Sequence, residues 1–290
     1  MKALIFGING QDGFYLTQLL ENLNYIVIGV SRSNKNFIIG DVSDYNFVEN
    51  IINEHKPGYI FHLAANSTVK HAALFENHLA IDTGTINILE ACYKYGSNSR
   101  IFLSGSGVQF YNNGSPIDEQ TPFSSLSPYA VSRISSVYTA RYYRSLNLKV
   151  YVGYLFNHDS PLRTDRHINK KIVSAALNIA RGNYDILEIG DLNAKKEFNY
   201  AGDVVRAIWT LVNQDKYYEA VIGSGKAFSV GEWIEACFRI IGRDWKKYVI
   251  KKEGFKSEYE ILVSCPTRIF SMGWRPEVDF KQLAELMMAN

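Results

Sequence analysis

The segment Gly7-Ile8-Asn9-Gly10-Gln11-Asp12-Gly13 constrains this chain more than any other. It follows the apolar run Leu4-Ile5-Phe6 and precedes Tyr15, Leu16, Leu19, Leu20 and Leu23, which recur at helical spacing. Glycines spaced by three between a strand and a helix let the chain turn tightly and let backbone N–H groups approach an anion at the helix N-terminus. A glycine triplet alone says little. Here it sits in the opening strand-turn-helix unit, which makes it a pyrophosphate-binding turn with Gly7, Asn9, Gly10, Asp12 and Gly13 as contact positions.

The same alternation continues for about half the chain. Apolar runs at Tyr25–Val30, Tyr59–Leu63, Arg100–Ser104 and Val150–Leu155 are separated by helical faces carrying Val48 and Ile51, then Ile86 and Leu89, then Ile134 and Val137. Strands that are apolar throughout and divided by helices predict a parallel sheet covered on both faces, the doubly wound α/β arrangement. Beyond Phe156 the spacing predicts helices over 169–181, 201–212 and 229–241, a short strand at Ala220–Ile222, and a basic stretch from Lys246. The chain therefore divides into a dinucleotide-binding Rossmann domain, 1–160, and a smaller, mainly substrate-binding portion, 161–290, with segments of the second returning to the sheet.

Composition narrows the class. With Lys+Arg 31 against Asp+Glu 29 the net charge is +2, which argues against nucleic acid as the main partner. No apolar run approaches the ~18 residues a membrane span needs. Met1 to Gly7 runs directly into a strand without a secretory pattern, and Cys92, Cys237 and Cys265 are odd in number and widely spaced. A cytoplasmic enzyme with reduced thiols and no metal is the expectation.

The second strand ends in Ser31-Arg32-Ser33, where an acid would accept the ribose 2′-hydroxyl of NAD and an arginine suits the 2′-phosphate of NADP. Arg32 points to NADP and leaves NAD open. Asp41 and Val42 are the expected adenine contacts, and Leu63, Ala64 and Ala65 should run beside the pyrophosphate. Ser127-Pro128-Tyr129 opens a helix, with Ser127 as N-cap, and Tyr129 and Arg133 project from one face. A cation fixed beside a phenol favours the phenolate and eases proton exchange. Ser106, after the fourth strand, can reach the same substrate oxygen. Together these read as a site for hydride transfer at a carbon bearing a hydroxyl or carbonyl.

At this point the chain resembles the extended short-chain dehydrogenase/reductase family, and within it the GDP-mannose 4,6-dehydratase branch. The glycine turn, Leu63-Ala64-Ala65-Asn66-Ser67, Leu155-Phe156-Asn157-His158-Asp159-Ser160-Pro161 and Leu192-Asn193-Ala194-Lys195-Lys196-Glu197-Phe198 carry the resemblance, which spans nearly the whole chain. It implies that Ser106 and Tyr129 polarise a sugar C4 oxygen and that Leu155 and His158 lie near the nicotinamide. It further implies that Ser67, Asn157, Arg163 and Lys171 serve the sugar nucleotide, with Lys196 where the branch has arginine and Lys256 in place of another. A homodimer joined through the helices of Ile81–Cys92 and Tyr129–Tyr143 is also implied.

Two departures stand out. The family's Tyr-x-x-x-Lys reads Tyr129-x-x-x-Arg133, which keeps the charge but not the proton-transfer capacity. The branch's Thr-x-Glu reads Ser106-Gly107-Val108, so the carboxylate that handles protons during loss of water is missing. Val108 favours hydride transfer at C4 of a GDP-4-keto-6-deoxyhexose with NADP(H), as in the related reductases. The alternatives are a full 4,6-dehydratase with a substitute base, for which His158 and Asp159 are nearest in sequence, and a binding paralogue without turnover.

Overall fold

The computed structural model describes residues 1–95, 98–183, 186–255 and 257–289. The first half alternates strands and helices: β1 (Lys2–Phe6), α1 (Gln11–Asn22), β2 (Ile26–Ser31), β3 (Ile38–Ile39), α2 (Tyr45–His55), β4 (Tyr59–His62), α3 (Leu74–Asn77), α4 (Gly84–Lys94), β5 (Arg100–Ser106), α5 (Pro128–Ser145) and β6 (Lys149–Leu155). The second half is more broken. It contains β7 (His158–Asp159), α6 (Ile168–Ala180), β8 (Leu187–Ile189), β9 (Lys195–Glu197), β10 (Asn199–Tyr200), α7 (Ala201–Val212), β11 (Glu219–Ile222), β12 (Ala227–Ser229), α8 (Val230–Ile240), β13 (Val249–Lys251), β14 (Ile261–Leu262), α9 (Thr267–Ser271) and α10 (Phe280–Met288).

Seven strands form one parallel sheet in the order β11-β6-β5-β4-β1-β2-β3. The order reverses between β1 and β4, and the crevice at their carboxyl ends is where a doubly wound sheet takes its ligand. One face carries α2, α4 and α5, whose Val48, Ile51, Ile88, Leu89 and Val137 pack on Leu4, Ile60 and Ile101. The other carries α1 and α7, whose Leu16, Leu20, Val204, Ile208 and Leu211 pack on Ala3, Ile5, Phe61 and Phe102. Burial on both sides explains why these strands read as unbroken apolar runs.

Of the second half, helix α7 covers the sheet and β11 extends it past β6. A separate core gathers α6, α8 and α10 around the fully buried Trp233, stacked on Phe198 with ring centroids 4.9 Å apart. The predicted helices at 169–181, 201–212 and 229–241 occur within a residue or so of those bounds. The helix expected from Ile81 begins instead as a π-helical segment, His78–Thr83, before α4. Helix α10 and the short strands of the second half go beyond the sequence reading, because two- and three-residue strands are too short to display a period.

Candidate active site

Two hollows meet along the carboxyl edge of the sheet, both bordered by Gly7, Gly10, Leu63 and Ala65. Gly7 has φ +90°, and a Cβ there would lie 2.6 Å from the Ala64 backbone nitrogen. A Cβ on Gly13 would lie 2.6 Å from Ile8 Cα, whereas one on Gly10 would meet only Gly7 O at 3.4 Å. Gly7 and Gly13 are thus demanded by the fold. Gly10 keeps the approach to the N-terminus of α1 open, where an anion would be held.

The first hollow, about 260 Å³, is lined by Asn9, Ser31, Arg32, Ser33, Asp41, Val42, Ala64 and Ala65 as well as the glycines. Of the positions expected to contact adenosine and pyrophosphate, Gly7, Asn9, Gly10, Arg32, Asp41, Val42, Leu63, Ala64 and Ala65 border this hollow, whereas Asp12 and Gly13 border the second. Among the described residues Arg32 is the one cationic residue lining the first hollow, and its Nη2 donates to Glu76 Oε1 at 3.0 Å. Asn66 donates to the other oxygen of Glu76 at 2.7 Å. In place of an acid at the end of β2, Ser31 Oγ accepts from Asn9 Nδ2 at 2.6 Å and from the Asn34 backbone at 3.0 Å. The donor-rich lining and the open glycine turn suit a dinucleotide.

The second hollow, about 540 Å³, brings together Asp12, Ser67, Ser106, Val108, Tyr129, Arg133, Leu155, Asn157, His158 and Arg163. Helix α5 starts where expected: the Ser127 side chain accepts from the Ala130 nitrogen and Pro128 occupies the first turn. That cap aims Tyr129 at the crevice. The Arg133 guanidinium lies over the Tyr129 ring, 5.1 Å from its centroid, and donates to both the backbone and the side-chain oxygen of Ser104. Ser106 ends β5, and its backbone N–H donates to Gln109 Oε1 at 2.8 Å. Gln109 is therefore folded inward, while Val108 presents an apolar surface to the hollow.

His158 is buried against Asp12, with Nε2 to Oδ1 at 2.9 Å, and its Nδ1 lies 2.8 Å from the Phe156 carbonyl oxygen. Burial alone would lower the His158 pKa, but the charge and hydrogen bond of Asp12 outweigh it and raise it. The carboxyl moves the opposite way: burial opposes ionisation, and His158 lowers its pKa below the usual range. When the imidazole is protonated both ring nitrogens donate, and the His158–Asp12 contact ties the start of α1 to β7. Asp159 is not available as a base in this hollow. It is buried, accepts from Asn169 Nδ2 at 2.6 Å, and pairs with Arg163 at 3.3 Å.

The remaining expected substrate residues are spread. Asn157 and Arg163 line the hollow. Lys196 is buried in β9, 5.4 Å above the Phe198 ring, and burial pulls its pKa down. Lys171 lies on the exposed side of α6 and does not border the hollow. Lys256 lies outside the described residues. Arg166 and His167, part of the basic run from Arg163 to Lys171 whose charge suits a pyrophosphate in a cleft, also line the hollow, as do Glu258 and Tyr259, which no motif marks for it. Gln11 also lines the hollow and joins its walls: it accepts from Ser160 Oγ at 2.8 Å and donates to the His158 carbonyl oxygen at 3.3 Å. Its place inside the glycine turn is a signal, but its partner lies 149 residues away.

A seven-stranded parallel sheet with a glycine turn, and a tyrosine facing it across the crevice, defines the extended short-chain dehydrogenase/reductase class that modifies nucleotide sugars. Solved structures share the architecture. The UDP-glucose 4-epimerase of Thermus thermophilus, complexed with NAD, superposes with a TM-score of 0.84 at 23% identity, over 100% of this chain and 98% of that one. RMD from Pseudomonas aeruginosa, complexed with NADPH, gives 0.87 at 20% identity over 99% and 96%. The model of the GDP-mannose 4,6 dehydratase family matches residues 4–287, and the chain is an enzyme of that family. GDP-mannose 4,6 dehydratase 1 of Arabidopsis thaliana is 31% identical over 99% of this chain and 88% of its own length. The GDP-mannose 4,6-dehydratase of Vibrio cholerae is 30% identical over 100% and 93%.

Proposed function

We propose that this enzyme removes water from a GDP-hexose, GDP-mannose by its relatives' names, using NADP(H) held across the two hollows. The observation that carries the reading is that Tyr129 and Ser106 border the same hollow as the glycine turn, in a chain that matches the dehydratase family model from residue 4 to 287. When bound, the coenzyme exchanges hydride with the sugar. Tyr129 takes the proton of the C4 hydroxyl as that carbon is oxidised, and Ser106 holds the same oxygen. Water then leaves as the C5 proton and the C6 hydroxyl, and the hydride at C6 and a proton at C5 complete the 4-keto product. Asn157 and Arg163, which line the hollow, hold the diphosphate, and Arg32 receives the 2′-phosphate of the coenzyme. Val108 cannot take a proton from the sugar, and loss of a general base slows such a step by about 10²–10⁴. Slow elimination is therefore expected rather than none.

Val108 also favours a second reading, hydride transfer at C4 alone to a GDP-4-keto-6-deoxyhexose. Family membership weighs for dehydration over this simpler reaction. Incubation of GDP-mannose with NADP(H) separates them. A product lighter by one water, with no net change in coenzyme, supports dehydration. Untouched GDP-mannose together with NADPH consumed by the 4-keto sugar supports reduction.

The enzyme is further proposed to act as a homodimer. Ile86 and Tyr93 of α4, and Val131, Tyr138 and Tyr142 of α5, are exposed. Sedimentation giving twice the chain mass is the expected result; a monomer at micromolar concentration would remove this part.

A further inference from the structure

We propose that Ser104 is a positioning residue of the hydride site: it fixes the Arg133 guanidinium against the Tyr129 ring and thereby lets arginine stand where the family has lysine. This rests on Tyr129 as the proton carrier.

Arg133 is 4% exposed, and among the described residues it has no carboxylate within ion-pair distance. A buried cation without a counter-ion is costly unless oriented oxygens share its charge. Both oxygens that do so belong to one residue. Arg133 Nη1 donates to the Ser104 carbonyl and to Ser104 Oγ, the latter at 2.9 Å.

The hydroxyl is itself oriented. Ser104 Oγ donates to the His62 carbonyl oxygen at 3.1 Å, which commits its single proton and turns its lone pairs toward the guanidinium. The chain of bonds runs from α5 through β5 to the end of β4, and its direction cannot be reversed. The neighbouring His62 ring adds no competing charge, because burial and the Arg133 cation push its pKa down to about 4.

A guanidinium held in this way keeps its delocalised charge over the phenol ring, 5.1 Å from the centroid, while its fixed N–H directions engage Ser104, a combination an ammonium does not reproduce. Ser104 and Ser106 are two apart in β5 and so face the same side, and both border the hollow that holds Tyr129. Ser106 is placed to touch substrate. Ser104 acts through Arg133.

The test is a double-mutant cycle on the full-length enzyme at saturating coenzyme, with coenzyme affinity measured separately by fluorescence. Ser104→Ala should lower kcat about tenfold, equivalent to ~1.4 kcal/mol, while the coenzyme Kd stays within about twofold. Combined with Arg133→Lys it should add nothing to the loss from Arg133→Lys alone, because the hydroxyl then has no guanidinium to orient. Multiplicative losses, a loss confined to Kd or KM, or wild-type kcat in Ser104→Ala would overturn the proposal. Ser104→Cys, which keeps the volume and weakens the acceptor, should give an intermediate kcat; if Ser104→Ala fails to fold, wild-type kcat in Ser104→Cys overturns it instead. Tyr129→Phe belongs in the same series. If it retains turnover, the reading of the site itself fails; if it is inactive while Ser104→Ala is unaffected, only the role of Ser104 fails.

Discussion

The coenzyme hollow and the sugar side of the crevice share Gly7 and Gly10 but are built by opposite means. The first is mostly backbone geometry: strand ends, a turn with φ +90° at Gly7, and residues a few positions after β1, β2 and β4. The second is assembled from side chains that are distant in sequence. His158 meets Asp12 across 146 residues, Ser160 meets Gln11 across 149, and Arg133 meets Ser104 across 29. A site made from turn geometry tolerates changes of side chain but not of Cα substituent. A site made from paired side chains has the reverse sensitivity, and the departures at 108 and 133 both fall in that second region.

Removing the phenol should have the largest effect. Tyr129→Phe is expected to lower turnover by about 10²–10⁴ with coenzyme affinity preserved, since the proton carrier is lost and the first hollow is untouched. Steady-state rates beside a binding titration check this, and equal losses in both would blur the contrast between the regions. Next comes the joint between them. Asp12→Asn removes the charge partner of buried His158, which then sheds its proton, and should cost about 1–3 kcal/mol in chemical denaturation.

The same joint makes stability depend on pH. The His158 pKa is raised in the folded chain, so its contribution is complete below the unfolded value of 6.5 and fades as pH rises through the folded one. The Asp12 pKa is lowered, so its contribution is present above 3.8 and fades as pH falls through its folded value. The gap in melting temperature between wild type and Asp12→Asn should therefore be widest between these limits, and a gap independent of pH would show that no ion pair forms.

Smaller effects separate the hollows. Arg163→Gln removes a charged donor that lines the sugar side and should raise the KM for the GDP-sugar by tenfold or more, following the ~1.5–3 kcal/mol of such hydrogen bonds, with the KM for NADP unchanged. Gly7→Ala should do the converse. It weakens coenzyme binding and costs more than about 1 kcal/mol in stability, because φ is positive and the new methyl strikes Ala64. Tight coenzyme binding in Gly7→Ala would mean that the turn is not where the pyrophosphate lies.

The difference between the regions also governs what can be read from the sequence. The glycine turn, the doubly wound sheet and the start of α5 follow from local rules of strand, turn and cap, and Asp41, Val42 and Tyr129 border the hollows at the carboxyl edge of the sheet. Asp159 illustrates the limit. Its neighbour His158 reaches the hollow, but adjacent residues in a strand face opposite sides, and Asp159 is enclosed by Asn169 and Arg163. Lys171 shares α6 with buried residues yet emerges on the exposed side, and no motif specifies that rotation. Ser104 is illegible in the sequence, because a serine in an apolar strand gives no sign of a partner on a helix in another segment.

Transfer of label from carbon 4 tests the central assignment most directly. GDP-mannose carrying deuterium at C4, incubated with wild-type enzyme and NADP, should lose the label from C4, with a slowed rate relative to the unlabelled sugar. Binding of both ligands with all of the deuterium still at C4 would contradict the placement of the reacting sugar carbon between Tyr129 and the nicotinamide.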